Sequence, residues 1–216
     1  MEYSAARHSM VESQLRTNRV TDPALIAALE SVPRENFVPK QMSGAAYIDG
    51  IIPIGNRRAL MEPMVFARLV QGAEIKAADV VLDVGCASGY SAAVLAPLAS
   101  TVVALESDSE LAGRASAALA ALKVDNVAVV TGTLAEGDAA HGPYDAIVVE
   151  GQIPSVPPAL LDQLADGGRL VAVIDDDGLG RATLFIRTGA VISHRVIFDA
   201  VAPRLPGFAV PTKFSF

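Results

Sequence analysis

Two acidic residues and two glycines mark the part of the sequence whose types and spacing could do chemistry. Asp83, Gly85 and Gly89 lie where an apolar run ends, and Glu106 closes the next apolar run, 21 residues after Gly85. Carboxylates at the ends of neighbouring parallel strands face the crevice where ligands bind in open α/β sheets. The pattern predicts a nucleotide-type cofactor site, although two glycines alone could simply permit a tight turn between strand and helix.

The spacing of the glycines indicates which cofactor this site would take. Dinucleotide sites use G-x-G-x-x-G, and here Ala87 occupies the position of the second glycine. The observed D-x-G-x-x-x-G is typical of S-adenosylmethionine (AdoMet) sites, in which Glu106 would accept both ribose hydroxyls. NAD sites share that use of a carboxylate, so an NAD-dependent oxidoreductase stays open as a weaker alternative.

An alternation of strands and helices must position these residues. Continuous apolar runs predict strands at 80–84, 101–106, 127–131, 145–150 and 169–174, with helices at 88–98, 108–122 and 157–164. Such alternation predicts a parallel, doubly wound sheet. Two further β-rich runs, separated by Thr188-Gly189, predict a closing antiparallel hairpin. Dinucleotide-binding domains do not end in such a hairpin, whereas five parallel strands followed by a hairpin resemble the fold of AdoMet methyltransferases.

The first 75 residues differ from the rest of the chain. Asp22 and Pro23 predict a helix start, as does Pro63. Residues 32–63 are rich in proline and glycine and predict a long irregular loop with buried apolar side chains. We therefore expect a helical segment with a substrate loop at 1–75, an AdoMet-binding α/β domain at 76–202 and an extended tail at 203–216. The tail carries Phe208, Phe214 and Phe216, which should pack on the body.

Composition excludes several classes of protein. The 216 residues are 51% hydrophobic and carry a net charge of −7 without a Lys/Arg run, which argues against nucleic-acid binding. No apolar stretch is long enough to span a membrane, and the N-terminus has no signal-peptide core, so we expect a cytoplasmic protein. We expect the single cysteine, Cys86, to be a buried packing residue. We expect neither the scattered histidines nor the acidic run at 175–177 to form a metal site.

Four stretches together resemble one family. They are "MVESQLRTNRVTDPALIAALESVPRENFVP", "AYIDGIIPIG", "VLDVGCASGYSAAVLAPLA" and "YDAIVVEGQIPSVPPALLDQLADGGRLV", within residues 10–190. In this order they resemble the protein-L-isoaspartate O-methyltransferases. The resemblance implies AdoMet as cofactor, a seven-stranded sheet and methylation of isoaspartyl carboxylates in damaged proteins. It also assigns the cofactor site by position: Asp83, Gly85, Ser88 and Gly89 to methionine and ribose, Glu106 to the ribose hydroxyls, Gly132 and Thr133 to adenine.

The chain departs from the family pattern around the expected substrate site. After "IPIG" the family typically has H-G-Q-T-I-S-Q-P, whereas this chain has "NRRALMEP". Ala59 replaces the threonine, Met61 the serine at the methyl-transfer centre, and Glu62 the glutamine. Thr133 stands in place of an aspartate, and Glu150 in place of a threonine. Arg57 and Arg58 are additional, and could contact a substrate carboxylate or could be solvated loop charges.

Two functions follow from these departures. The first is an AdoMet-dependent carboxyl methyltransferase, possibly with a shifted substrate, whose partner is a protein or peptide carboxylate. The second is a relative that binds AdoMet without transferring its methyl group. The sequence predicts no oligomeric state and no catalytic residue beyond the loop candidates Arg57, Arg58, Met61 and Glu62.

Overall fold

A seven-stranded sheet forms the centre of the protein in the computed structural model, which describes residues 3–208. The helices are α1 (Tyr3–Met10), α2 (Pro23–Ser31), α3 (Pro63–Ala73), α4 (Tyr90–Leu95), α5 (Ser109–Ala121) and α6 (Pro158–Asp162). The strands are β1 (Ile52–Gly55), β2 (Arg58–Leu60), β3 (Val80–Val84), β4 (Thr101–Glu106), β5 (Val127–Thr131), β6 (Tyr144–Ile153), β7 (Leu164–Asp176), β8 (Leu179–Thr188) and β9 (Val191–Asp199).

The strand order in the large sheet is β5-β4-β3-β6-β7-β8-β9. The first five strands are parallel, and β8 and β9 add two antiparallel pairings at one edge. This confirms the predicted methyltransferase fold, mostly parallel and doubly wound with a closing hairpin. The chain proceeds outward from β3 in one direction and then from β6 in the other, so the crevice for a ligand lies where β3 meets β6.

Local sequence signals correctly predicted where helices α2 and α5 begin. The Asp22 side chain caps α2 by accepting hydrogen bonds from the backbone N–H groups of Ala24 and Leu25, and Pro23 occupies the first turn. Asp108 caps α5 in the same way. These carboxylates satisfy backbone donors that have no partner inside a helix, which is why the pattern is readable from sequence.

Three predicted details need correction. The helix expected at 88–98 is α-helical only over α4 and continues as a 3₁₀ turn at Ala96–Leu98, where Pro97 removes a donor. The hairpin between β8 and β9 turns at Gly189-Ala190, one residue later than Thr188-Gly189. The loop expected between the N-terminal helices and α3 contains two 3₁₀ helices, Arg34–Phe37 and Lys40–Ala45, and the β1–β2 hairpin.

The N-terminal helices and the sheet share one hydrophobic core. Met10 and Val11, the inner face of α3, the sheet residues Val81 and Val171, and Ala202 belong to a single cluster of buried side chains. A second cluster covers the other face of the sheet, and Phe208 packs against it, as predicted for that residue. Phe214 and Phe216 lie outside the described residues. Within residues 3–208, no helix is long and apolar enough to cross a membrane.

Candidate active site

The predicted carboxylates meet at the carboxyl edge of three adjacent strands. Asp83 lies near the end of β3, Glu106 ends β4, and Glu150 lies in β6 just beyond the residues paired with β3. Asp83 and Glu106 are completely buried. Parallel strands bring their ends to one edge, so residues 83, 106 and 150 converge although 67 positions separate the first from the last.

Glu106 is held by backbone donors on one side and by an arginine on the other. Its carboxylate accepts hydrogen bonds from the N–H groups of Ala87 (2.8 Å), Ser107 (2.8 Å) and Asp108 (3.1 Å). Nη1 of Arg58 lies 2.6 and 2.7 Å from its two oxygens. Nη2 of Arg58 donates to the carbonyl of Gly85 at 2.7 Å. The sequence suggested that Arg58 could bind a carboxylate, and the carboxylate it binds here is Glu106 of its own chain.

The β1–β2 hairpin explains how Arg58 reaches this crevice. Its turn residues, Asn56 and Arg57, both have positive φ (50° and 57°), as a type I′ turn requires. Because side chains alternate along a strand, Arg58 and Leu60 point inward and are buried, whereas Arg57 in the turn is exposed. Sequence reasoning missed this hairpin because its turn is Asn-Arg and lacks the glycine of the usual signal.

Asp83 is a buried carboxylate with one free oxygen. Ser91 donates to its Oδ2 at 2.7 Å, and Oδ1 has no hydrogen-bond partner among the described residues. Burial raises the pKa of Asp83 to about 7, with a smaller upward effect from Glu106, while the Ser91 hydrogen bond and Arg58 oppose the rise. A buried acceptor without a donor is costly, so Oδ1 is a position where a cationic ligand group would be stabilised.

A narrow buried gap separates the glycine-rich turn from the loop at 59–61. It is lined by Arg34, Ala59, Met61, Tyr90 and Glu150, with Phe66 and the 85–87 turn, and it has room for about one water molecule. Tyr90 Oη and Glu150 Oε1 are buried and have no hydrogen-bond partner in the described part of the chain. Burial, assisted by the charge of Asp83, raises the pKa of Glu150 well above its usual range.

Arg34 fixes the far side of this gap. It is buried, and it donates from Nε to the carbonyl of Ala46 (2.9 Å) and from Nη2 to the carbonyl of Met61 (2.7 Å). Its guanidinium lies 4.5 Å from the centre of the Tyr90 ring, a cation–π arrangement. The arginine of the "VPRENFVP" stretch therefore orients the loop that carries Met61, a role that the sequence did not reveal.

The loop candidates fall into two groups. Met61 is buried among core side chains, and Arg58 is buried in the crevice. Glu62 is partly buried, and desolvation and the nearby Asp49 raise its pKa. Arg57 projects into solvent beside them. Of the four candidates, only Met61 lines the gap, whereas Arg58 contacts Glu106 and the Gly85 carbonyl.

The remaining predicted cofactor residues flank the crevice. The Ser88 hydroxyl donates to the carbonyl of Phe37 at 2.6 Å, which ties the turn to the N-terminal segment. Gly85 and Gly89 both have positive φ, and a Cβ on Gly89 would lie 3.0 Å from Cβ of Ala115, so this glycine also permits close helix packing. Gly132 and Thr133 line an open groove with Ser107 and Pro206, beyond Glu106. Cys86 is buried and free, as its packing role predicts.

The donor set fits AdoMet. A buried carboxylate at Glu106 suits two ribose hydroxyls, and the free Oδ1 of Asp83 suits the ammonium group of the methionine part. The turn at 85–89 presents backbone rather than side chains to the crevice. No pyrophosphate is needed to account for these groups, in agreement with Ala87 at the position where a dinucleotide site has glycine.

Potential metal ligands lie elsewhere. In the described chain, His8, Glu12 and Glu30 bring three ligand atoms within 4.8 Å of one another at the surface, where Glu12 already pairs with Arg16 and Glu30 with His8. In the acidic run, Asp175 pairs with Arg204 and Asp176 with Arg181. None of these residues lines the gap or the groove at the crevice.

A family model and curated relatives show the family of the chain. Residues 6–198 match the family model for protein-L-isoaspartate(D-aspartate) O-methyltransferase. The chain is 41% identical over 175 residues to protein-L-isoaspartate O-methyltransferase 1 of Rhodopseudomonas palustris, covering 81% of this chain and 71% of that protein. It is 39% identical over 197 residues to the enzyme of Koribacter versatilis, covering 91% and 88%.

Solved structures agree on the fold. A protein-L-isoaspartate O-methyltransferase superposes with a TM-score of 0.82 at 23% identity, covering 93% of this chain and 66% of that one, just under two thirds of its length. A structure described as a putative enzyme of the same name from Plasmodium falciparum, in complex with S-adenosyl-L-homocysteine, gives a TM-score of 0.75 at 20% identity, covering 94% and 98%.

Proposed function

Because the chain belongs to the protein-L-isoaspartate(D-aspartate) O-methyltransferase family and is an AdoMet-dependent carboxyl methyltransferase, we propose that its acceptor is the isoaspartyl carboxylate of damaged proteins. The observation that carries this proposal is the buried gap in which Tyr90 and Glu150 each present a polar atom without a partner among the described residues. Asp83, which is bonded to the gap-lining Ser91, presents a third such atom next to it. Such atoms are rare in folded proteins, and they cluster here where the glycine-rich turn meets the loop at 59–61.

We assign the cofactor to the carboxylates and the adjacent groove. Glu106 would bind the ribose hydroxyls, Asp83 the ammonium group, and Gly132 with Thr133 the adenine. AdoMet held there would supply its methyl group to the acceptor oxygen by in-line displacement, with the electron pair of the broken carbon–sulfur bond left on sulfur as a thioether. A carboxylate acceptor is already ionised, so no general base is needed, and the protein contributes alignment and exclusion of water.

We assign the acceptor to the side of the gap that is built by residues within 34–66. The family hydroxyls are missing at Ala59 and Met61, but the Tyr90 hydroxyl and the Glu150 carboxyl face the same space. Burial, with the charge of Asp83, raises the pKa of Glu150 well above its usual range, which favours the protonated carboxyl. A protonated carboxyl can donate a hydrogen bond to an anionic acceptor instead of repelling it. This replacement of donors supports retention of a carboxylate acceptor in spite of the altered loop.

The cysteine content of the chain supports a proposed location in the cytoplasm. The single cysteine is free and buried, which suits a reducing compartment, and the acceptor is a protein carboxylate rather than a nucleic acid. We propose a role in the repair of aged cytoplasmic proteins.

The test is transfer of label from methyl-labelled AdoMet to an isoaspartyl peptide. The same peptide with a normal aspartyl residue is the control, and release of methanol in mild base identifies a methyl ester. Tyr90→Phe should lower kcat/KM by about tenfold through loss of one hydrogen bond to a charged acceptor. Tyr144→Phe, which removes a buried hydroxyl bonded to the Asp138 carbonyl, should leave transfer unchanged.

Two outcomes would contradict the proposal. If AdoMet binds but no label reaches the isoaspartyl peptide while a whole-cell extract is labelled, the acceptor is different. If AdoMet binds and nothing is labelled, the protein is a binding relative.

A further inference from the structure

We infer that Arg58 is a built-in competitor for the cofactor site, so that AdoMet binds only after the β1–β2 hairpin releases Arg58 from Glu106. This inference rests on the proposed function only in taking AdoMet as the ligand of Glu106. The β1–β2 hairpin, residues 52–60, is called the strap below.

Arg58 occupies the contacts that the ribose needs. Its Nη1 lies within 2.7 Å of both carboxylate oxygens of Glu106, and both side chains are almost completely buried (3% and 0% exposed). The remaining capacity of that carboxylate is used by three backbone N–H groups and the Ser107 hydroxyl. A ribose that donates two hydroxyl hydrogens to Glu106 must therefore displace the guanidinium.

The strap also fills the space beside the glycine-rich turn. The open side of Gly85, where a Cβ would point, is filled by Nη2 of Arg58 and by Leu205, each 3.1 Å away. The gap that remains has room for about one water molecule, far less than the methionine part of AdoMet needs, whereas the groove at Gly132 and Thr133 stays open. The strap therefore excludes the ribose by hydrogen bonding and the methionine part by volume.

Ile52, Ile54 and Leu60 anchor the strands of the strap in the core, so the part of the strap that can move is its turn with Arg58. The turn is held to α5 by weaker polar contacts that can open. Asn56 donates to Asp108 at 2.9 Å and Arg114 donates to the carbonyl of Ile54 at 3.3 Å, near the surface at the start and middle of α5. Exposed polar contacts of this kind stabilise little, so Arg58 is the main polar attachment of the strap. Removing its charge should leave the strap present but easier to lift.

The experiment compares Arg58→Met with the matched variant Arg57→Met. Methionine keeps an unbranched apolar stem but is shorter than arginine and has no donors. Glu106 keeps its three backbone donors, so the fold should survive, and circular dichroism checks this. Isothermal titration should show AdoMet binding about tenfold tighter in Arg58→Met than in wild type, since a competing charge-assisted contact is gone. Arg57→Met, in the exposed turn of the same hairpin, should bind as wild type does, and Arg58→Lys should lie between.

A kinetic measurement separates competition from a merely structural effect. In wild type, the observed rate of AdoMet association, followed by stopped-flow tyrosine fluorescence, should level off at high AdoMet because strap opening becomes limiting. In Arg58→Met it should continue to rise. If Arg58→Met binds AdoMet as weakly as wild type or more weakly, the competitor role is wrong while AdoMet binding stands. If neither protein binds AdoMet, the proposed function fails together with it.

Discussion

Substituting Glu106 with glutamine should destabilise the protein strongly even without cofactor. Glutamine keeps the shape of the side chain but removes the charge that compensates a guanidinium with only 3% of its side chain exposed. Both short contacts to Nη1 of Arg58, at 2.6 and 2.7 Å, lose their ionic character. Breaking a buried ion pair from one side costs about 3–5 kcal/mol, because the remaining charge stays buried without a partner. Two hydrogen bonds to a charged group, at about 1.5–3 kcal/mol each, give a similar figure.

Urea unfolding followed by circular dichroism, with no AdoMet added, measures this loss. The matched control is Glu12→Gln, since Glu12 pairs with Arg16 at 2.7 Å but both side chains are about half exposed. That surface pair should be worth at most about 0.5 kcal/mol. The double variant Glu106→Gln, Arg58→Met should be more stable than Glu106→Gln alone, because the orphaned charge is removed as well. A loss of less than about 1 kcal/mol in Glu106→Gln would mean that Arg58 and Glu106 are solvated in solution, and the reasoning about a closed crevice would be refuted.

Two further predictions concern the gap and its surroundings. Asp83, facing Glu106, Glu150 and Arg58, holds its proton in the folded protein up to about pH 7, whereas an unfolded aspartate loses it near pH 4. Because the pKa of Asp83 is raised in the folded protein, its contribution to folding stability falls as the pH rises between those two values. The affinity for AdoMet, measured by isothermal titration, should instead increase from about pH 6 to pH 8, because the carboxylate that binds the ammonium group forms over that range. Asp83→Asn should bind more weakly and without that pH dependence, and a wild-type affinity that is flat with pH would contradict the assignment. The triple change Ala59→Thr, Met61→Ser, Glu62→Gln should raise isoaspartyl methylation by at least about tenfold at saturating AdoMet, by restoring polar groups that orient the acceptor. It should also cost about 2–4 kcal/mol in urea unfolding, because Met61 is buried in the core; an unchanged rate in a folded protein would show that the loop does not limit transfer.

The sequence predicted the sheet and the positions of its carboxylates because both depend on local patterns. Apolar runs define the parallel strands. Asp83 and Glu106 lie at the ends of two such strands, and the fold brings these ends together independently of the surrounding side-chain contacts. The strap was missed for a physical reason: its turn, Asn56-Arg57, adopts positive φ without a glycine, so no local signal marked it. The same omission hid the partner of Arg58, because a contact across 48 residues depends on which face of a three-residue strand points inward.

Arg34 and Glu150 show the other limit of sequence reasoning. An arginine in a short proline-rich segment is usually exposed, and its burial against the Ala46 and Met61 carbonyls depends on two loops meeting. Glu150 was noticed as a departure from the family pattern, but its chemical state follows from burial beside Asp83, which composition and spacing do not contain.

The shared core of the N-terminal helices and the sheet bears on how the chain is made. Met10 and Ala200 belong to the same buried cluster although about 190 residues separate them. At roughly 5–20 residues per second of synthesis, the first helices must wait about 10–40 s for the last members of their core to leave the ribosome. The segment that is synthesised first therefore shares a core that is complete only when synthesis nears its end, and until then part of the apolar surface of that core is exposed to chaperones and to aggregation.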